Sequence, residues 1–348
     1  MSIEYLGNKS RLLDFVVRPI VRARVGSVAD LFCGTASVSR ALSAEGIRIV
    51  ANDHMTLCAT LAEATLLTAR RPSFSGLSGV IAVRTGQSGY DAALAALNSA
   101  KPRAGYFHRT YSPASAAAGV KRMYLTEANA AKIDAVRAKI EHWTPLLSRG
   151  ERALLLRDLV VAVSRISNTA GTYGCYLKQW KPRSLQPLLL QQSGWTSMAV
   201  RRSGHQVHCQ EASDALAQAD VDALYLDPPY TKRQYAAYYH LLETLVRDDR
   251  PVVSGSTGLP RWQDRASEFC YRRRAPQALD GLIAHADVPH IFLSYSDEGQ
   301  IPHALVLEIL RSRGRVIWWE RKLARYRSNS KASVRGSVTE RLYHLALD

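Results

Sequence analysis

Three times along this chain a short apolar run stops at a polar or proline turn and gives way to a helical pattern. Residues 28–32 (VADLF) lead into Cys33-Gly34-Thr35 and then a helical pattern through Leu42. Residues 47–51 (IRIVA) lead into Asn52-Asp53 and a helix over 55–69. Residues 223–226 (ALYL) lead into Asp227-Pro228-Pro229-Tyr230 and a helix over 239–246. Short, nearly unbroken apolar strands are buried on both faces, and strands that alternate with helices pair in parallel. The pattern predicts an α/β fold with a parallel sheet covered by helices. It resumes after residue 275, with a helix over 277–286, a strand over 290–295, a helix over 304–311, a strand over 316–319 and a last strand over 340–347.

The middle of the chain breaks this rhythm. Residues 73–104 are rich in Gly, Ser and Ala and show weak periodicity, and 114–118 read as an alanine-rich loop. Apolar residues at three- and four-residue spacing predict helices over 128–143 and 151–167. Residues 168–174 (NTAGTYG) have loop composition. The expected organisation is one α/β domain, 1–75 with 200–348, interrupted by a mainly helical insertion over 76–199.

At 348 residues, with 47% hydrophobic and 22% charged residues, the chain can bury a core without disulfides or metals. Its five cysteines include no C-x-x-C pair and are odd in number, which points to a reducing, cytoplasmic setting. No signal peptide is visible, and no apolar run approaches the roughly 20 residues that span a bilayer. The net charge of +16 favours a polyanionic partner, although the excess of Arg over Lys also suits a compositional bias. Basic residues cluster late, at Arg272-Arg273-Arg274 and at Arg321, Lys322, Arg325 and Arg327, interleaved with Tyr271, Trp318, Trp319 and Tyr326.

The turns carry the chemistry. Asp227-Pro228-Pro229-Tyr230 lies at the carboxyl end of a strand, the edge where open α/β sheets bind ligands. Two prolines fix φ and remove two donors, so the turn offers acceptors. A carboxylate and a carbonyl can accept both hydrogens of an amine, and the tyrosine ring can stack on a planar ring. Gly34, in Asp30-Leu31-Phe32-Cys33-Gly34-Thr35, permits close backbone approach to a ligand. Asp53 follows it at the spacing at which an acidic residue meets ribose hydroxyls, though Asn52 and Asp53 also suit a helix cap. Tyr5-Leu6-Gly7-Asn8-Lys9 precedes a helix starting near Arg11, and Tyr5 and Lys9 can lie over a cofactor pocket. His205, His208 and Cys209 form a weak zinc pattern without a second ligand pair, so no metal is expected.

In this order the motifs Tyr-Leu-Gly-Asn-Lys, Asp-Leu-Phe-x-Gly, Asn-Asp and Asp-Pro-Pro-Tyr resemble the alpha group of DNA N6-adenine methyltransferases. Residues 227–244 (DPPYTKRQYAAYYHLLET), 168–178 (NTAGTYGCYLK) and 293–301 (LSYSDEGQI) are similar to a restriction–modification branch of that group. The resemblance implies a Rossmann-like methyltransferase domain that uses S-adenosyl-L-methionine, with 76–199 as its target-recognition region. It implies catalytic roles for Asp227, Pro228, Pro229 and Tyr230. Tyr5, Lys9, Asp30, Phe32, Gly34, Asp53 and Glu211 would bind the cofactor, with Asp53 at the ribose and Glu211 facing the adenine. Asn168, Tyr173, Lys178, Lys181 and Arg233 are the expected DNA contacts. The partners implied are double-stranded DNA and a cognate restriction endonuclease, with no membrane. One position departs from the family pattern: Ala36 stands where a second glycine is usual, a change that a helix start should tolerate. An RNA adenine methyltransferase, a cytosine N4 enzyme and a catalytically decayed DNA-binding relative remain open at this point.

Overall fold

A computed structural model describes residues 9–68, 72–192, 204–324 and 337–347. Tyr5, Arg325, Tyr326 and Arg327 lie outside the described residues. The strands among those described are β1 (Ser27–Asp30), β2 (Arg48–Asn52), β3 (Gln206–His208), β4 (Ala223–Leu226), β5 (Val253–Ser254), β6 (Leu259–Pro260), β7 (His290–Ser296), β8 (Gly314–Ala324) and β9 (Ser337–Leu347). The chain packs as two compact units. One holds the described parts of Gly7–His54, Val200–Gln234 and Ala266–Asp348; the other holds those of Met55–Ala199 and Tyr235–Arg265. This grouping follows packing and does not coincide with the 76–199 boundary read from the sequence.

The first unit contains the whole of a seven-stranded sheet in the order β3-β2-β1-β4-β7-β9-β8. β3, β2, β1, β4 and β7 run parallel, while β9 lies antiparallel between β7 and β8. β1 and β4 are buried along their full length, which is why they read as unbroken apolar runs. Ala29, Leu31, Leu224, Leu226, Ile291 and Leu293 form one core with Leu216, Leu279, Ile283 and Val306 of the helices Ala212–Ala217, Ala275–Ala284 and His303–Arg311. Each fully buried Leu or Ile there contributes about 1.5–3 kcal/mol. The sheet and its alternating helices make this the Rossmann-like architecture expected from the sequence.

The second unit is mainly helical. Its central helix, Arg149–Ile166, starts with a capping box in which Ser148 and Glu151 bond reciprocally, and most of its residues are buried. The Glu151 carboxylate also accepts the Phe74 N–H at 2.7 Å. The stretch that looks irregular in the sequence carries a helix, Gly89–Asn98, with Ser88 accepting the Asp91 N–H as its cap. The alanine patch forms a short 3-10 helix, Pro113–Ala118. No helix among the described residues is long and apolar enough to cross a membrane.

Candidate active site

Strand order fixes where a ligand can enter the sheet unit. From β1 the chain builds outward to β2 and β3 on one side, and from β4 to β7 on the other. The turns leaving β1 and β4 therefore diverge, and such a switch point opens a crevice at the carboxyl ends of the strands. Asp30 ends β1 and Asp227 follows β4 at this edge.

Around Asp227, Lys9 and Glu340 come together from opposite ends of the chain. The Lys9 ammonium lies 3.0 Å from Asp227 Oδ1 and 3.5 Å from Glu340 Oε2. At 3.0 Å the Lys9–Asp227 contact is a close ion pair, and no other polar partner of Oδ1 is found among the described residues. The same ammonium sits 5.1 Å from the centre of the Tyr230 ring, and the Tyr230 hydroxyl donates to Glu340 Oε1 at 3.3 Å. Lys9 is 3% exposed and Glu340 5%, so these charges work at low dielectric. Burial pushes the Asp227 carboxyl up to about 6, against the pull of Lys9 and with a further push from Glu340. Burial lowers the Lys9 pKa, but Asp227 and Glu340 outweigh it and hold the ammonium above the usual lysine value.

The turn is buttressed by residues 293–301. The Gln300 N–H donates to the Tyr230 carbonyl at 3.0 Å, and the Tyr295 ring meets the Tyr230 ring edge-on at 5.9 Å. The Ile301 N–H donates to the Tyr295 hydroxyl at 3.1 Å. Gly299 is required there, since a Cβ would come within 2.2 Å of the Tyr295 ring. The segment marked by resemblance thus packs against the Asp227–Tyr230 turn.

The turn after β1 is built for close approach. Gly34 adopts φ +50°, and its N–H donates to Asp53 Oδ2 at 3.0 Å. The Asn52 amide ties this turn to the end of β3, donating to the Leu31 and Gln210 carbonyls at 3.2 and 3.1 Å. Glu211 follows Gln210 as an exposed residue at the start of the helix Ala212–Ala217. The half-buried Phe32 ring meets Phe269 edge-on at 5.3 Å. Asp30 is buried, with Ser39 donating to Oδ2 at 2.5 Å, while Oδ1 has no hydrogen-bond partner among the described residues. Burial pushes its carboxyl up to about 7. The expectation about Ala36 needs correction. The residue has φ +57°, a left-handed conformation that strains an L-residue by about 1–2 kcal/mol, so it is not an ordinary helix start.

Thus Lys9, Asp30, Phe32, Gly34, Asp53, Glu211 and Asp227–Tyr230 all belong to the sheet unit. His205 has both ring nitrogens engaged, Nδ1 with the Ile49 N–H at 3.0 Å and Nε2 with the Ser43 hydroxyl at 3.2 Å. Of the expected DNA contacts, Arg233 lies in this unit and is exposed.

The other four lie in the helical unit, and two are structural there. Asn168 is fully buried. Its amide donates to the Met123 and Leu177 carbonyls at 3.1 and 2.9 Å and accepts the Lys181 N–H at 3.1 Å. Its amide edge is committed within the protein and does not face a base. Tyr173 is 4% exposed, bonded through its hydroxyl to Ser167 at 3.1 Å and stacked on Tyr124. Lys181 is half-buried, its ammonium donating to the Thr169 carbonyl at 2.6 Å. Lys178 is exposed. Sequence reasoning missed Glu340 altogether.

A family model for the D12 class of N6 adenine-specific DNA methyltransferases matches residues 5–296. The chain is 32% identical to the modification methylase StsI of Streptococcus sanguinis, covering 89% of this chain and 46% of that protein. It is 31% identical to the type II methyltransferase M.NlaIII of Neisseria lactamica, over 90% of this chain and 89% of that one. It is 25% identical to the type II methyltransferase M.CviAII of Paramecium bursaria Chlorella virus 1, over 99% of both. The chain spans about half the length of StsI, LlaI and M.FokI among these relatives. No solved structure matches it. A parallel sheet with an Asp-Pro-Pro-Tyr turn at its switch point agrees with the family match, and the chain belongs to the D12 class of N6 adenine-specific DNA methyltransferases.

Proposed function

We propose that the protein is a site-specific DNA adenine N6-methyltransferase that uses S-adenosyl-L-methionine, acts in the cytoplasm on double-stranded DNA and serves a restriction–modification pair with a cognate endonuclease. The observation that carries this reading is Asp227: a largely buried carboxylate at the switch point whose Oδ1 meets only the Lys9 ammonium among the described residues, in a turn whose prolines remove two donors.

The turn after β1 suits the cofactor. Gly34 and Ala36 both hold left-handed φ, and the buried Asp30 Oδ1 lacks a donor that a cationic amino group would supply. Asp53, Phe32, Gly34, Lys9 and Glu211 are the other residues that would hold it. When bound, S-adenosyl-L-methionine supplies a methyl group on a positively charged sulfur. The residues of this chain orient the acceptor. Adenine N6 cannot be reached inside the duplex, so the base must leave the stack. Tyr230 stacks on it, while Asp227 and the Pro228 carbonyl accept its two amine hydrogens. Asp227 Oδ1 is also suited to hold the proton that the amine sheds. Much of the rate then comes from positioning. Residues 76–199 would serve as the target-recognition region, and the exposed Arg233 as a separate DNA contact.

Modification-aware sequencing of DNA from cells expressing the protein tests this reading. N6-methyladenine at one short motif is the expected result; modified cytosine, or unmodified DNA from cells with soluble protein, would overturn it.

A further inference from the structure

We propose that Glu340 is a positioning residue for methyl transfer: it fixes the Tyr230 ring through its hydroxyl and gives the Lys9 ammonium a second acceptor, so that Lys9 can release Asp227 to the incoming amine. The proposal rests on the reading of Asp227 as acceptor for that amine.

The geometry assigns one job to each oxygen of Glu340. Oε1 takes the Tyr230 hydroxyl at 3.3 Å, and Oε2 lies 3.5 Å from the Lys9 ammonium. The ammonium stands closer to Asp227 Oδ1, at 3.0 Å, where an N–H of a target amine would bind. The ammonium already stands against this oxygen, so an amine that takes the same approach to Oδ1 needs it displaced. An ammonium moved away with no partner would be left buried and uncompensated, which is costly. Glu340 is the carboxylate already within reach.

Its own placement is firm. On β9, Glu340 pairs with Ser296 of β7 and Arg321 of β8. The preceding residue is clamped, since the Asp297 N–H donates to the Thr339 carbonyl at 3.0 Å and the Thr339 N–H returns to Asp297 Oδ2 at 3.1 Å. The sheet order β4-β7-β9 carries this carboxylate to the edge where the turn after β4 lies.

The test compares Glu340→Gln with the unaltered full chain in steady-state and single-turnover methylation of a duplex bearing the target motif. The charged and titratable groups that bear on Asp227 and Tyr230 are Lys9, Asp30, Tyr225, Glu298 and Glu340. Glutamine keeps an oxygen for Tyr230 and loses the charge that would receive Lys9. The kcat should fall about tenfold to a hundredfold, the worth of one hydrogen bond to a charged group. The acid limb of the rate profile should move to lower pH, because the negative charge that raises Asp227 is gone. Glu340→Asp should recover part of the rate and return the limb. A Glu340→Gln enzyme with unaltered kcat and an unmoved limb would overturn the proposal. Should that variant fail to fold, Tyr230→Phe removes the hydroxyl alone: a lowered kcat with the limb in place supports the ring-fixing role, and an unaltered kcat overturns it. Unaltered protein that leaves adenine unmethylated would instead refute the reading of Asp227.

Discussion

The turn Asp227–Tyr230 and the segment 168–178 look alike in the sequence: both follow a regular element, both mix polar and aromatic residues, and both resemble family motifs. Their polar atoms differ. Asp227 Oδ1 meets only the Lys9 ammonium among the described residues, whereas Asn168 has its amide bonded to Met123, Leu177 and Lys181. Buried polar groups in folded proteins are nearly always satisfied, so the saturated amide of Asn168 marks a brace, while the Asp227 oxygen, held by one ammonium, can trade that partner for a ligand. A motif alone does not separate the two cases.

Substitutions can break this contrast. Asp227→Ala should lower the methyl-transfer rate by about 10²–10³, the cost of one preorganised hydrogen-bonding group, while calorimetry finds cofactor binding retained. Near-normal turnover would place the acceptor elsewhere. Asn168→Ala should act on folding instead. It strands buried backbone groups at about 1–3 kcal/mol each, which denaturant titration will read, and the folded fraction should discriminate target sequences as before. Altered discrimination with unaltered stability would restore Asn168 as a base-reading residue. The smallest effect belongs to exposed Lys178. Lys178→Ala should leave stability alone and reduce the salt slope of DNA binding by about one; an unchanged slope would remove it from the phosphate contacts.

Much of the sheet unit was legible because its central strands are buried on both faces. Residues 223–226 read as one strand, and the turns after β1, β2 and β4 carry their polar residues at the binding edge. β3 was not legible, since three residues give too little periodicity. The helix Gly89–Asn98 was hidden by weak periodicity within a Gly- and Ser-rich stretch, although Ser88 and Asp91 give a cap spacing that could have revealed it. Asn168 and Tyr173 were misplaced because composition does not tell a solvent loop from one folded into a core. Glu340 could not be found at all: its partner Lys9 is 331 residues away, and only the insertion of β9 between β7 and β8 brings it to the site.

The central claim is that ionised Asp227 receives the target amine, and the pH dependence of the single-turnover rate tests it most directly. With the Asp227 carboxyl pushed up to about 6, protonation below that value removes the acceptor charge. With cofactor saturating, the rate should therefore fall as pH drops through 6, while Asp227→Asn should be slow and lack this limb. A limb of the same position and depth in Asp227→Asn, or a flat profile in the unaltered enzyme, would contradict the account.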